Sequence, residues 1–513
     1  MLSFILRRVF VSTLLLLGAS FIMYLLTAAS GDPLRDLRES REPNRDQLMM
    51  IRSDQLDLGV PAPLRFFLWL GGATRCLIPF ANACDLGVNV LNQPVTALLP
   101  IALTSTLQLL SASTILAIVF GVIIGIVSAL RQNSGFDYGV TFLVFLMFSL
   151  PSFFIAVLLK EFLAIRFNDF LADPKIPLLV LAAIAIVSGI IWQSMVGGDK
   201  RRRLTILTIS ALATASVLFF MEATDWFRFP GFGPVVVSLV SIGIAVLLTA
   251  LLSGLGSRRG LVTGIIAAAI SIVAYFSVQS LFDISTIWTV LIVGSILTVV
   301  GAAVGFFAGG YDRLVHMRIG GFTAFLSFLI IVLDRYMQSW NEYFTHRAID
   351  GRPIATVGSG TPTLRGDMWV EGIDTFTHFL LPTLALVLVS LASYTRYVRA
   401  GMLEVLNQDY IRTARAKGLS ERSVVMRHAF RNSLIPLATF IPVDIAAVVG
   451  GAIITEQVFS ISGMGQLFIR SLQNVDPNPV MAYFVVVSIV VLIANLIADL
   501  SYAVLDPRVR APQ

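Results

Sequence analysis

Twelve apolar runs of membrane length decide what this chain can fold into. They lie at about 9–29, 101–130, 138–159, 176–196, 204–221, 232–254, 261–281, 286–308, 319–338, 376–395, 432–456 and 480–504. A hydrocarbon layer of about 30 Å, at 1.5 Å rise per residue, needs about 20 apolar residues in a helix. Inside lipid only helices and closed barrels satisfy their own backbone. These runs are too long and too evenly apolar for barrel strands, so the expected class is an all-α polytopic membrane protein. Composition agrees: 13% of the 513 residues are charged, about half the share of a soluble domain.

The net charge of +6 is no nucleic-acid signal, because the basic residues sit in short clusters beside the apolar runs. That is how membrane orientation is encoded. With the N-terminus in the cytoplasm, twelve crossings put Arg131, Lys200 to Arg203, Arg258-Arg259, Arg313 to Arg318, the segment 396–431 and the C-terminus on the cytoplasmic side. Every short loop then obeys the positive-inside pattern. The first run follows Arg7-Arg8 and exceeds the 7–15 residues of a signal-peptide core, so it reads as a retained helix, residues 1–30. The polar segments 31–98 and 345–375 fall outside. Cys76 and Cys84 share the first of them and can close a short loop as a disulfide in an oxidising exterior; the alternative is two free thiols.

Smaller signals refine this outline. Arg35 to Asp46 alternates in sign and reads as a solvated face. Arg65-Phe66-Phe67-Leu68-Trp69-Leu70 is either an interfacial helix with Trp69 at headgroup level or the core of a folded loop. Gly121 and Gly125 have the GxxxG spacing that lets helices approach closely, as do Gly301, Gly305 and Gly309. Pro151 predicts a kink in the third run, and Lys160-Glu161 reads as an exposed helix end. Asp444 lies inside the run 432–456. An acid there lines a translocation path, where it would meet a cationic group, or else bonds a neighbouring helix. Asp499 reads as interfacial. The four histidines are scattered, so no metal or catalytic cluster is expected. No GxxxxGK[ST] sequence occurs, so no nucleotide and no other cofactor is expected on this chain.

The polar island 409–422 carries the most local information. Asp409 is placed to cap a short helix running through Lys417, with acid at its start and Arg415 and Lys417 at its end to suit the macrodipole. Gly418 is the expected stop. Ser420 is placed to cap a second helix from Glu421 to Phe430. The product is a helix–glycine–helix elbow.

Here the sequence resembles a known family. Tyr394-Thr395-Arg396, Asp409-Tyr410-Ile411-Arg412-Thr413-Ala414-Arg415-Ala416-Lys417-Gly418 and Arg427-His428-Ala429-Phe430-Arg431-Asn432-Ser433-Leu434-Ile435-Pro436 look like the inner-membrane permease of peptide-type ABC importers, above all the dipeptide/oligopeptide "B" permease. In that family the segment is the EAA loop, whose coupling helix fits a groove in the ATPase. Arg412-Thr413-Ala414 stands for Glu-Ala-Ala. His428-Ala429-Phe430-Arg431 stands where the wider superfamily has Ile-x-Leu-Pro, a departure that favours the peptide branch. Gly31-Asp32-Pro33, Asp85-Leu86-Gly87, Leu99-Pro100, Thr106-Leu107, Ser149 to Phe153, Gly450-Gly451, Thr455 to Ser460, Gly463-Met464-Gly465 and Asp506-Pro507-Arg508 are similar to further family segments. Ile461-Ser462 stands where relatives usually carry Trp-Pro.

The resemblance covers about 1–165 and 345–513. It implies a type I ABC importer permease fold with a six-helix core: the first helix, helices two and three in 99–165, and helices four to six in 376–513 with the coupling loop 396–431. The segment 166–344 then reads as an insertion of about six transmembrane helices, an even number that preserves the core topology. The resemblance further implies a multi-pass protein of the bacterial plasma membrane. Its partners would be a second homologous permease, two cytoplasmic ABC ATPases and an extracytoplasmic substrate-binding protein. The coupling residues would be Asp409, Tyr410, Arg412, Thr413, Ala414, Arg415, Ala416, Lys417, Gly418, Arg427, His428 and Arg431. The expected cargo is di- or oligopeptide; relatives of this branch also carry nickel complexes, glutathione or oligosaccharides. An ion-coupled secondary transporter is the competing class. It needs ion-binding groups at mid-membrane, for which Asp444 alone is available. An intramembrane enzyme lacks a nucleophile and base.

Overall fold

A computed structural model describes residues 2–76, 84–284 and 286–505; for 2–5, 422, 431, 435, 436, 438, 439, 446–451 and 501–505 it describes the backbone alone. The Asp506-Pro507-Arg508 segment lies outside the described residues. Among those described the protein is helical throughout, and an isolated bridge between Val88 and Pro94 is the nearest approach to a strand. Among the described residues ten helices are long and apolar enough to cross a membrane, or up to twelve if two further pairs, each sharply bent at a break, count as one span apiece. The protein is a multi-pass membrane protein.

The chain divides into two compact units. The first comprises 1–163, 356–359 and 379–513. Its N-terminal helix, Leu2–Ala29, packs beside the last one, Pro477–Leu505. Between the first span and the second, Val95–Leu130, lie three shorter helices, Arg35–Glu39, Arg45–Gln55 and Ala62–Arg75. The alternating charges pair locally, Arg35 with Glu39 at 3.0 Å and Arg38 with Asp32 at 2.9 Å, while Arg52 reaches Asp36 at 2.5 Å. In Ala62–Arg75, Phe66 and Trp69 stand one turn apart and are buried against Tyr24 and Met481. Trp69 donates its indole N–H to the Leu86 carbonyl at 3.1 Å. Trp69 and Phe66 are therefore packed as the core of a folded loop, while Phe67 and Leu68 of the same helix stay exposed. Cys76 and Cys84 are joined as a disulfide, with Cα atoms 4.3 Å apart.

The third run is broken where the sequence predicts a kink. Gly135–Ser149 and Ser152–Ala172 meet at 105°, because Leu150 and Pro151 both take extended backbone. Proline at 151 removes a donor and disfavours helix in the residue before it. Lys160-Glu161 is no helix end: the two residues open a π-helical turn, Lys160–Ile165, inside a continuous helical stretch. Lys160 donates its ammonium to the Val458 carbonyl at 3.3 Å, in a half-buried position.

The second unit comprises 164–355 and 360–378. Five long helices carry it, Leu178–Val196, Lys200–Ala223, Gly233–Leu252, Arg258–Phe282 and Ile287–Ala308, followed by Arg313–Thr345. Gly301 and Gly305 are close-approach positions: a Cβ at Gly301 would fall 2.5 Å from the Gly320 carbonyl. The core is Tyr275, Phe282, Leu297, Phe328 and Trp369. At its polar centre is Asp334, fully buried on Arg313–Thr345. It accepts from the amides of Phe232 and Gly233, from the Tyr275 hydroxyl and from the Gln338 amide, all within 3.1 Å. A buried carboxylate so supplied fixes where Gly233–Leu252 begins. Residues 360–378 belong to this unit through Asp374, which accepts from the Thr361 amide at 2.8 Å and hydroxyl at 2.6 Å.

Candidate functional site

The polar island folds as two short helical arms. The first is Asp409–Ala416. Asp409 is not its cap, contrary to the sequence reading. Gln408 already has the extended backbone of an N-cap, φ −72° and ψ 150°, and makes no side-chain cap bond. Asp409 is the first helical residue, where its charge still suits the dipole. Lys417 is the C-cap, one residue beyond the helix. Gly418 follows with φ +76°. Its amide donates to the Arg415 carbonyl at 2.9 Å and that of Leu419 to Ala414 at 3.4 Å. This pair of bonds is the Schellman stop, which needs a left-handed residue at Gly418.

Ser420 caps the second arm, accepting from the Ser423 amide at 3.4 Å. The sequence predicts one regular helix from Glu421 to Phe430. The structure has Glu421–Ser423, then a π-helical Val424–Ala429, then Phe430–Ser433. The wider turn brings Val424, Val425 and Ala429 together on the buried side. Arg415 and Glu421 clip the arms together, Nη2 to Oε1 at 2.7 Å and Nε to Oε2 at 3.1 Å. The Arg415 guanidinium holds the Glu421 carboxyl below its ordinary value. The clip is exposed, so its geometry defines shape more than it adds stability. The Asn432 amide donates to the Tyr410 hydroxyl oxygen at 2.9 Å, a second tie between the arms.

Of the expected coupling residues, Ala414 alone on the first arm is buried, together with Ile411. Asp409, Tyr410, Arg412, Thr413, Arg415, Ala416, Lys417 and Gly418 are exposed. On the second arm Arg427 is exposed and His428 half-buried; the Arg431 side chain lies outside the described residues. The elbow is therefore amphipathic, apolar inward with a polar and basic face left open.

Ile411 and Ala414 pack into a cluster with Tyr394, Val398 and Met402 of the helix Met368–Leu406, and with Val424, Val425, Ala429 and Leu437. Tyr394, Val398 and Met402 follow each other at four-residue spacing, one stripe of that stalk helix. Opposite the stripe stand Gly121 and Gly125. A Cβ at Gly121 would lie 2.6 Å from the Tyr394 Cβ, and one at Gly125 2.8 Å from that of Val398. The GxxxG face thus seats the stalk. Tyr394 is fully buried and donates its hydroxyl to Asp444 Oδ2 at 2.6 Å. Asp444 bonds a neighbouring helix and stays half-buried. A single packed chain of residues joins the elbow to the one acid expected in the path.

Two clusters were not visible to sequence reasoning. Asp137, in the first turn of Gly135–Ser149, is buried and accepts a bidentate pair from Arg399 of the stalk at 2.8 and 2.9 Å. It also accepts from the Ser128 hydroxyl at 2.5 Å and the Asn133 amide at 3.1 Å. The partners are 262 residues apart, and no local pattern links them. Glu456 is fully buried. It accepts from the Thr106 hydroxyl at 2.7 Å and the Gln466 amide at 3.0 Å, while Thr106 Oγ1 accepts from the Met464 amide at 2.8 Å. A carboxylate at the start of Met464–Gln473 suits that helix end. Its helix meets the preceding one at 81°. The Thr455–Ser460 and Gly463–Gly465 motifs held this signal as sequence without revealing that they touch. Asp499 pairs with Arg8 at 2.5 Å. Among the described residues no group of three His, Cys, Asp or Glu side chains gathers as a metal site.

Residues 260–511 match the family described as binding-protein-dependent transport system inner membrane component. The oligopeptide transport system permease protein OppB of Mycobacterium tuberculosis is 36% identical over 229 residues, 43% of this chain and 68% of that relative. The oligopeptide permease AppB of Bacillus subtilis is 44% identical over 136 residues, 26% of this chain and 43% of the relative. The dipeptide permease DppB of Escherichia coli is 42% identical over 138 residues, 27% and 41% of the two chains. The matched stretch contains the stalk, the elbow, Asp444 and the broken span at Glu456. With a relative covered over two thirds of its length at this identity, the chain belongs to the binding-protein-dependent transport system inner membrane components, with the type I importer permease fold.

Proposed function

We propose that this chain is the permease subunit of an ATP-driven importer of di- or oligopeptides, and that the elbow is where an ATPase subunit docks. The observation that carries this reading is the two-sided elbow: an open polar face outward, and Ile411 and Ala414 packed inward on the stalk, whose Tyr394 bonds Asp444 of a neighbouring helix. In this reading both termini and the elbow lie on the cytoplasmic side of a bacterial plasma membrane, and ATP and Mg are bound by two separate ATPase subunits. A second, homologous permease completes the path, and an extracytoplasmic binding protein delivers peptide to the segments 31–98 and 345–375. ATP-driven closure of the ATPases favours one permease state because the partners bind the two states with different affinity. Asp444 faces the path and meets the peptide's ammonium group. These relatives are all peptide permeases, which supports the cargo.

The test is co-expression with the neighbouring transporter subunits, purification through a tag on this chain, and uptake of radiolabelled peptide by cells. Wild type brings down ATPase and a second permease and supports uptake. Gly418→Val is expected to lose both ATPase retention and uptake while the membrane domain stays folded. Normal uptake and normal retention in that variant would refute the coupling role.

A further inference from the structure

The second unit contains a basic cavity that the transport reading does not use. It has a volume of about 330 Å³ and is lined by Gly256, Ser257, Arg258, Arg259, Gly309, Tyr311, Asp312 and His316. Arg258 and Arg259 open the helix Arg258–Phe282. The amides of a first helical turn have no partner within the helix. Ser257 takes one of them, accepting from Gly260 at 3.2 Å. Gly310, with φ +60°, leaves room for the Arg259 guanidinium, which a Cβ there would meet. Across the cavity Arg313 is turned away: its Nε donates to the Gly310 carbonyl at 3.2 Å and its guanidinium lies over Phe306.

His316 supplies the independent observation. It lines the cavity, its side chain is 96% buried by its 4% relative exposure, and its Nε2 has no hydrogen-bond partner. Its Nδ1 is 2.9 Å from the Asp312 carbonyl oxygen. A carbonyl only accepts, so Nδ1 carries the hydrogen and Nε2 of the neutral ring is a bare acceptor. Positive-inside topology asks for arginine near helix ends, but it gives no reason to bury an unsatisfied histidine nitrogen. Leu255, Phe307, Tyr311 and Leu314, the flanking apolar residues, are strongly exposed.

We propose that this cavity binds the headgroup of an anionic phospholipid. The phosphate oxygens accept from the Arg258 and Arg259 guanidinium groups and the free first-turn amides, the arrangement that favours anions at a helix start. A headgroup hydroxyl donates to His316 Nε2. The acyl chains lie on the exposed Phe307, Tyr311 and Leu314. Asp312 also lines the cavity, and its carboxylate sets a limit on how much negative charge the site takes. Free phosphate shares the oxygen chemistry but has nothing to place on the apolar rim.

The full-length protein is purified in mild detergent, and retention of phosphatidylglycerol against phosphatidylcholine is measured by native mass spectrometry and by thermal shift on lipid addition. Wild type is expected to prefer phosphatidylglycerol by about tenfold: both lipids bring a phosphate, but phosphatidylcholine adds a cation that the two arginines repel and has no hydroxyl to donate to His316. The exposed double variant Arg258→Gln/Arg259→Gln is expected to lose most of that preference, and His316→Leu part of it. Should His316→Leu fail to fold, the arginine variant decides alone. Neutralising Lys200 and Arg201, a basic pair elsewhere in the unit, is expected to leave the preference within about twofold. Equal retention of the two lipids by wild type, or a preference that follows Lys200 and Arg201 instead of Arg258 and Arg259, overturns the site. Inorganic phosphate at millimolar concentration is the second arm. Displacement of phosphatidylglycerol by it overturns the lipid assignment in favour of a free anion; retention supports the lipid.

Discussion

Replacing Arg399 by leucine should cost more than replacing Asp137 by asparagine, although both substitutions break the same ion pair. The asymmetry lies in burial. The Asp137 side chain is 3% exposed and that of Arg399 29%. In Arg399→Leu the carboxylate keeps Ser128 and Asn133 as donors but loses a bidentate cation and cannot reach water. Removing one partner of a buried pair costs about 3–5 kcal/mol. In Asp137→Asn the amide keeps the volume and one acceptor, and the guanidinium finds water along its open edge. That loss is about 1–2 kcal/mol, the value of a charged hydrogen bond partly replaced. The difference is therefore about 2 kcal/mol. It is read by unfolding the purified variants in mixed micelles with increasing denaturing detergent. A double variant, Asp137→Leu/Arg399→Leu, should recover much of the larger loss, since an apolar pair carries no buried charge. The reasoning fails if Asp137→Asn is as damaging as Arg399→Leu, or if the double variant is worse than Arg399→Leu alone.

Other outcomes follow from the same geometry. Gly418→Ala should destabilise the elbow by about 1–2 kcal/mol, because its φ of +76° is left-handed; hydrogen exchange of Leu419 and Ser420 should quicken while global melting barely moves. Glu421→Gln breaks an exposed clip, so its folding cost should stay under about 1 kcal/mol; a larger loss in unfolding titrations would show that the clip bears more than shape. Removing the disulfide with Cys76→Ser/Cys84→Ser should cost about 2–3 kcal/mol by the loop-closure relation for this short loop, seen as faster proteolysis within 31–98; an unchanged cleavage rate would contradict it. Burial pushes the Asp476 carboxyl up to about 6, above the roughly 3.9 of an unfolded chain. The folded state then holds its proton more tightly, so this contribution is full below about pH 4 and is lost as pH rises through about 6. Asp476→Asn should shrink the fall in melting temperature between pH 5 and pH 7, and an identical pH profile would count against the assignment.

What could be read in advance was whatever depends on neighbours in sequence. Membrane-length apolarity located the spans, and glycine with its flanking polar residues located the elbow's turn at Gly418. Local chemistry failed where two residues competed for one role. Asp409 is the better cap by residue type, yet the extended backbone of the cap position falls one residue earlier, at Gln408. The π-helical turns at Lys160–Ile165 and Val424–Ala429 were not legible either. They answer to what must face the core, and a helix pattern of ordinary pitch fits the same letters. Long-range partners were least accessible. Asp137 reads as an ordinary first-turn acid and Arg399 as one more basic residue beside a membrane helix. Their pairing exists only because Gly121 and Gly125 let the stalk come close.

That seating gives the stalk the mechanics of a lever. Val398 and Arg399 are held, one against Gly125 and the other by Asp137, and so form a fulcrum. Met402 lies on one arm, carrying Ile411 and Ala414, and Tyr394 lies on the other, carrying Asp444. At 1.5 Å per residue the arms are each about 6 Å long. Under the proposed coupling, a push on the elbow would reach Asp444 through this one unbroken helix, with no flexible joint between them to absorb it.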